Sequence, residues 1–216
     1  MLERSKRLVV ETEKQDWVAS PASGVWRKHL EREAEESGET SSVVRFEPGA
    51  GFEMHTHTHG EEILVLSGAF EDENGRYPAG TYLRNPAGSR HAPLCPEGCE
   101  IFVKLDQFQT RDSETVNLDT GKADWLPGLV QGLSVMPLHS FGIEHTSLVK
   151  WDPGTVFSPH THPGGEEIFV IEGVFQDEYG RYPKGTWLRN PPGSAHHPYS
   201  EEGCVILVKV GHIPDP

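Results

Sequence analysis

Positive charge is in short supply. The 216-residue chain carries 19 Lys and Arg against 33 Asp and Glu, a formal net charge of −14 at pH 7. Nucleic-acid binding needs a basic stripe that displaces counterions from phosphates, so it is not expected here, and neither is docking on an anionic membrane surface. Long apolar runs are also missing. Unbroken aliphatic or aromatic stretches reach four residues, as at 63–66 and 205–208, where a bilayer-spanning helix needs about 20. The opening MLERSKRLVVETEKQDW mixes charges into its apolar residues and has no signal-peptide core. Cysteine is scarce and odd in number, at three. That argues against a disulfide framework and makes a reducing cytoplasm the expected location. Helical periodicity is weak everywhere. Only Trp26 to Glu36 is ambiguous, and it is read as half of a hairpin turning at Ser37-Gly38, since a β domain needs an opening strand there.

Glycine and proline are abundant instead, 23 and 17 residues, or 19% of the chain against roughly 12% on average. That many turns argues for an all-β protein. An internal repeat organises it: 46–105 aligns on 151–210 at a constant offset of 105 without a gap, with 35 identities in 60 positions. Upstream, Asp16-Trp17 pairs with Asp124-Trp125 after a three-residue slip. The predicted organisation is two tandem domains, 1–115 and 116–216. Within a copy, short strands alternate with turn signals. A strand at 42–46 stops at Pro48-Gly49. A second, 61–66, ends at Ser67-Gly68. Asn74-Gly75 marks a hairpin, and 99–105 is the last apolar strand. This spacing predicts a sandwich or barrel.

Eight of the 12 histidines fall in short segments of the two copies: His55, His57, His59 and His91, then His160, His162, His196 and His197. Residues i and i+2 of a strand point to one face about 7 Å apart, so His55 and His57 can converge on one ion. The Gly60 turn folds Glu61 back beside them, and His91 arrives from a later strand. The candidate metal ligands are His55, His57, Glu61 and His91, and in the second copy His160, His162, Glu166 and His196. Imidazole with carboxylate suits Zn, Fe, Ni or Mn, at up to two ions per chain. His59 and His197 have no repeat partner and are read as rim residues. His29, His139, His145 and His212 default to the surface. Glu62 and Glu167 should face away, with a one-residue slip of the ladder as the alternative. Cys99 and Cys204 are read as small core residues, and the Cys95/Cys99 spacing does not suit a zinc knuckle.

The first copy reads Gly49-x5-His55-x-His57-x3-Glu61-x6-Gly68, then Gly80-x5-Pro86-x-Gly88-x2-His91. The second reads Gly154-x5-His160-x-His162-x3-Glu166-x6-Gly173, then Gly185-x5-Pro191-x-Gly193-x2-His196. This resembles both signature motifs of the cupin superfamily, twice. The usual terminal Asn of the second motif is replaced by Cys95 and Ser200. The wording around GEEI and DExGRYPxGT is similar to the ChrR-like cupins. The resemblance implies a bicupin of two jelly-roll barrels, with metal on the eight residues named above. It also implies two functional classes. One is the sensory domain of zinc-binding anti-sigma factors, which brings a sigma factor in as a partner. Here Cys-x-x-Cys is absent, and fewer than thirty residues precede the resemblance, which starts near residue 15. The other is the non-heme iron dioxygenases that cleave β-diketones, in which three histidines hold the iron and this in-register Glu is extra.

The expectations divide into a ligand-sensing regulator, a metal-dependent dioxygenase and a purely structural use of the metals. Tyr82, Arg84, Trp187 and Arg189, on the strand before the last ligand, are candidate pocket walls. The expected partner is a small molecule inside the barrel. Oligomeric state is open, with a homodimer the form to test.

Overall fold

The computed structural model describes residues 3–35 and 37–213. They are strands and turns almost throughout, with one 3₁₀ turn at Thr12–Lys14 and no α-helix among the described residues. No helix among them is long and apolar enough to cross a membrane. The chain separates into two compact units, one of Gln15–Ala123 and the other of 3–14 with the residues from Asp124 onward. The expected division at 115/116 follows the repeat in sequence, and these units cut across it. The reason is an exchange of opening strands. Leu8–Glu11 precedes the first repeat but pairs with Thr186–Asn190 of the second unit. Val116–Asp119 precedes the second repeat but pairs with Thr81–Asn85 of the first.

Each unit is an all-β jelly roll. In the first, the antiparallel order is Val116–Asp119, Thr81–Asn85, Glu61–Asp72, Cys99–Leu105, Thr40–Phe46, Val25–Arg32, Val18–Ala19. The ambiguous segment is a strand over Val25–Arg32, followed by a turn into Thr40–Phe46; its last residue, Glu36, lies outside the described residues. Alternation aims Val25, Val44, Phe46, Ile63, Ile101 and Val103 at the barrel interior, where all are buried. The second unit repeats the pattern with Val149, Trp151, Ile168, Val170 and Ile206.

The strand expected to end at Ser67-Gly68 continues to Asp72. A register shift between Glu100 and Ile101 bends it instead, so that its far half pairs with Gly75–Pro78. Glycine is required at the bend. Gly68 has φ of +69°, and a Cβ there would strike the Gly98 carbonyl oxygen; Gly173 and Gly203 repeat the arrangement. The bend positions the site, because it carries Asp72 back towards His91.

One expectation about cysteine is corrected. Cys95 and Cys99 form a disulfide across the Gly98 turn, with Cα atoms 6.0 Å apart. The turn brings the short strand Leu94–Cys95 back beside the start of Cys99–Leu105. It is a single staple, and Cys204 remains a buried free thiol as a core residue should.

Candidate metal centres

His55 sits on the two-residue strand His55–Thr56, which pairs with Arg90–His91 so that His55 lies opposite His91. His57 follows as the chain turns inward and is buried. The donor nitrogens of His55, His57 and His91 lie within 4.8 Å of one another. Glu61, at the head of the long strand, closes the group: its Oε2 is 3.3 Å from His57 Nε2 and 3.4 Å from His91 Nε2, which are 3.0 Å apart. Glu62 points the other way and accepts the Tyr82 hydroxyl at 2.9 Å. In the second unit His160 lies opposite His196, and His162 Nε2 is 3.1 Å from His196 Nε2. Glu166 stands 3.5 Å and 3.6 Å from those two nitrogens.

Two donors on adjacent corners around an ion, each about 2.1 Å from it, are about 3.0 Å apart at a right angle and about 3.4 Å apart in a tetrahedron. The first centre's spacings fall on that range and the second's lie within about 0.2 Å of it, so the donor sets fit a transition-metal ion. The protonation states fit as well. Burial, with His91 and His55 alongside, pushes His57 down to about 3, which keeps it the neutral base a metal needs. Burial also lowers His91 and His162. Glu61 is pushed up to about 7 by burial, against the bond it accepts from Asn85; a cation between the imidazoles would offset that desolvation.

A supporting layer fixes the ligands, and sequence reading missed all of it. His55 Nδ1 faces the Glu53 carbonyl at 2.9 Å, and His160 Nδ1 faces that of Ser158 at 3.0 Å. His91 Nδ1 faces Asp72 Oδ2 at 3.3 Å, and His196 Nδ1 faces Asp177 Oδ2 at 3.5 Å. With an acceptor at Nδ1, the proton belongs there and the Nε2 lone pair is free for a metal. Asp72 is held by the Tyr77 hydroxyl at 3.0 Å and the Asn74 amide at 2.7 Å; Asp177 is held by Tyr182 at 2.9 Å and the Tyr179 amide at 2.9 Å. Burial raises Tyr77 to about 12, helped by Asp72. Asn85 donates to Glu61 at 3.0 Å and Asn190 to Glu166 at 2.8 Å. One signal could have found these residues: Asp72/Asp177, Tyr77/Tyr182 and Asn85/Asn190 are all identities of the repeat.

Other expectations need correction. Tyr82 and Arg84 face away from the barrel interior. Tyr82 is taken up by Glu62, and Arg84 donates to Asp112 at 2.8 Å. In the second unit Arg189 donates to the carbonyls of Glu3 and Lys6, and Trp187 is fully buried. Alternation puts Leu83 and Asn85 inward instead. His59 and His197 are exposed, as rim residues should be. His145 is exposed, but His139 is buried, and His212 is half-buried beside Glu167 at 3.0 Å. His29 is half-buried and lines a cavity of about 1320 Å³ in the first unit, shared with His55, His57 and Glu61.

These features agree with what the chain resembles. The model of the ChrR cupin-like domain matches 5–109 and again 113–214. A proposed dioxygenase of Nostoc punctiforme superposes with a TM-score of 0.79 at 18% identity, over 97% of this chain and 83% of its own. YlbA of E. coli gives 0.75 at 14%, over 100% and 95%. The oxalate decarboxylase of Lactobacillus farciminis gives 0.68 at 14%, over 96% and 87%. A curated relative, the DNA damage-repair/toleration protein DRT102 of Arabidopsis thaliana, is 33% identical in an 86-residue alignment that covers 35% of this chain. The match spans only 28% of that relative's length. At these identities the solved structures show a shared fold, and the double match over nearly the whole chain shows the family: the chain belongs to the ChrR cupin-like family and carries two copies of its domain.

Proposed function

We propose that each unit binds one divalent transition metal, zinc or iron before nickel or manganese, and that the first centre acts on a small organic molecule. The ligands would be His55, His57, Glu61 and His91, with His160, His162, Glu166 and His196 in the second unit. The observation carrying this reading is the pairing of a pre-oriented imidazole cage with a roomy cavity lined by His55, His57 and Glu61. A metal held there supplies Lewis-acid polarisation and a template for two reactants. The chain does the rest. Asp72 aims His91, Asn85 holds the Glu61 carboxylate, and Phe52 packs edge-on against His55 with centroids 6.0 Å apart. The activity that suits such a centre is dioxygenase cleavage of a β-diketone-like compound, in keeping with the proposed dioxygenase among the similar structures.

Elemental analysis of protein purified without added metal tests the centre, with about two ions per chain expected. Oxygen uptake by iron-loaded protein on acetylacetone tests the activity, with His57→Ala as the dead control. No uptake over several diketones would overturn the enzymatic reading. A second reading, a cytoplasmic metal-dependent sensor with a sigma factor as partner, is favoured by the family match itself. It expects firmly bound zinc, no turnover and co-elution with a sigma factor.

A further inference from the structure

The two copies differ beside the glutamate of the cage. Asp106 and His59 of the first unit have Gly211 and Gly164 as counterparts at the repeat offset of 105. The backbone bonding is the same in both. Asp106 N–H donates to the Gly60 carbonyl at 2.9 Å and Phe108 N–H to that of His59 at 3.1 Å; Gly211 donates to Gly165 at 3.2 Å and Ile213 to Gly164 at 3.0 Å. In the second unit the segments close on each other. A Cβ at Gly164 would stand 2.7 Å from Gly211 Cα, and one at Gly211 would stand 2.1 Å from the Ile143 carbonyl oxygen. In the first unit both positions carry side chains. Asp106 holds a φ of +58°, the one non-glycine residue with positive φ among the described residues, in a backbone region that aspartate tolerates better than most side chains.

Asp106 lines the first cavity together with His55, His57 and Glu61. Its Oδ1 is engaged: it accepts the His59 amide at 3.0 Å, with His59 Nδ1 3.7 Å away. Its Oδ2 has no hydrogen-bond or ion-pair partner among the described residues. The side chain is 27% exposed, and a carboxylate so sheltered accepts a hydrogen bond more strongly than one in open water. Resting on the metal-centre reading, we propose that Asp106 Oδ2 is the hydrogen-bond acceptor of a ligand subsite: the first cavity selects a chelating compound that carries a hydroxyl group on the carbon next to one of its metal-binding oxygens. The register sets the reach. Leu105 lies opposite Glu61 in the ladder and Asp106 is the next residue. Paired Cα atoms are about 5 Å apart and consecutive ones about 3.8 Å, so the Asp106 and Glu61 Cα atoms are at most about 9 Å apart. One hydroxyl on a compact chelate meets Asp106 at that range with no tail between. The second unit, with Gly211 in that place, has no acceptor side chain there.

The test compares two β-diketones with one chelating head, acetylacetone and 1-hydroxypentane-2,4-dione, which adds a single hydroxyl. Each is titrated into the cobalt-loaded full chain, following visible absorption and heat. The expected result is about tenfold tighter binding of the hydroxylated compound. Asp106→Asn keeps an acceptor for the His59 amide and should cut that preference to about threefold. Asp106→Gly, which matches the second unit, should abolish it. Melting curves of the three proteins check that each is folded. No preference in the native protein, or a preference that survives Asp106→Gly in a folded protein, overturns the subsite alone. Failure to load cobalt, or unchanged titrations in His57→Ala, brings down the metal-centre reading and the subsite that rests on it.

Discussion

In the first unit Arg27 lines a cavity, whereas in the second Val135 occupies the same register position and packs against the core; Phe46 and Trp151 are buried core residues alike. The cages differ far less: three imidazoles, a carboxylate, an Asn on the carboxylate and an Asp behind the last imidazole, all within a few tenths of an ångström. The two copies share the cage geometry and differ in the wall of the barrel, where one has Arg27 and the other Val135. The direct way to break this comparison is to count ions. His57→Ala should remove one of two metals and leave the other. His162→Ala should do the same for the second centre, and the double variant should bind none. Elemental analysis that finds both single variants metal-free would show that the cages are not independent.

The outer carboxylates offer a sharper contrast. Asp72 relies on its own hairpin and Tyr77, whereas Asp177 also takes Arg7 at 2.7 Å, from the segment that precedes the exchanged strand. Burial of Asp177 would raise its pKa, but bonds from His196 and Arg7 outweigh that and hold it at about 2. Arg7→Ala strands a fully buried carboxylate behind His196. A buried pair broken on one side costs about 3–5 kcal/mol; with Arg7 partly exposed the expectation is about 1–3 kcal/mol. For a chain of this size that lowers the melting temperature by several degrees, and metal affinity should fall at the second centre only. Equal loss at both centres, read from the metal content of His57→Ala and His162→Ala backgrounds, would contradict the assignment.

How much of this was legible in the chain follows from what kind of information each feature needs. The clustering of the candidate ligands was legible because it is a local spacing on strands, and the repeat printed it twice. Glu61 rather than Glu62 was decided by the Gly60 turn, whose residues set the register of everything after it. The exchange of Leu8–Glu11 and Val116–Asp119 was not legible, because two copies of one sheet edge offer either strand the same partners. The facing of Tyr82 and Arg84 was open for a related reason: both faces of that strand are buried, so alternation of polarity gives no sign. His139 defaulted to the surface because a lone histidine carries no pattern, and its burial comes entirely from tertiary packing.

Acidity separates the loaded first centre from the empty one. In metal-free protein His57 falls from 6.5 to about 3, so its stabilising contribution is present above pH 6.5 and is lost as pH drops towards 3. Glu61 rises from 4.5 to about 7, so its contribution is present below 4.5 and is lost as pH climbs through 7. Between about pH 4.5 and 6.5 the unfolded chain holds the histidine proton and the native one holds the glutamate proton, and the two slopes nearly cancel. A bound cation keeps Glu61 ionised and removes the cancellation. Loaded protein should therefore lose about 1.4 kcal/mol more per pH unit in that window than metal-free protein. Metal uptake by the first centre at pH 6 should release the Glu61 proton, seen as a buffer-dependent heat, and Glu61→Gln should lower that heat while keeping the side-chain shape.

The smallest expected effect concerns the position where one copy has a disulfide and the other a hydrogen bond. Cys95 is bonded to Cys99, while its counterpart Ser200 donates to the Val174 carbonyl at 2.6 Å beside Cys204. Burial pushes the Cys204 thiol up to about 11, against a bond with Ser200. At pH 8 little of it is thiolate, and what forms is shielded from solvent. A thiol reagent should find almost nothing in native, unreduced protein, one thiol after unfolding, and three after unfolding with reductant. Three thiols in the unfolded, unreduced chain would show that Cys95 and Cys99 are free and that the two copies differ there only in side-chain chemistry. Reduction itself should cost little, because the loop closed by Cys95 and Cys99 is only four residues apart in sequence and the closure entropy it removes from the unfolded chain is correspondingly small.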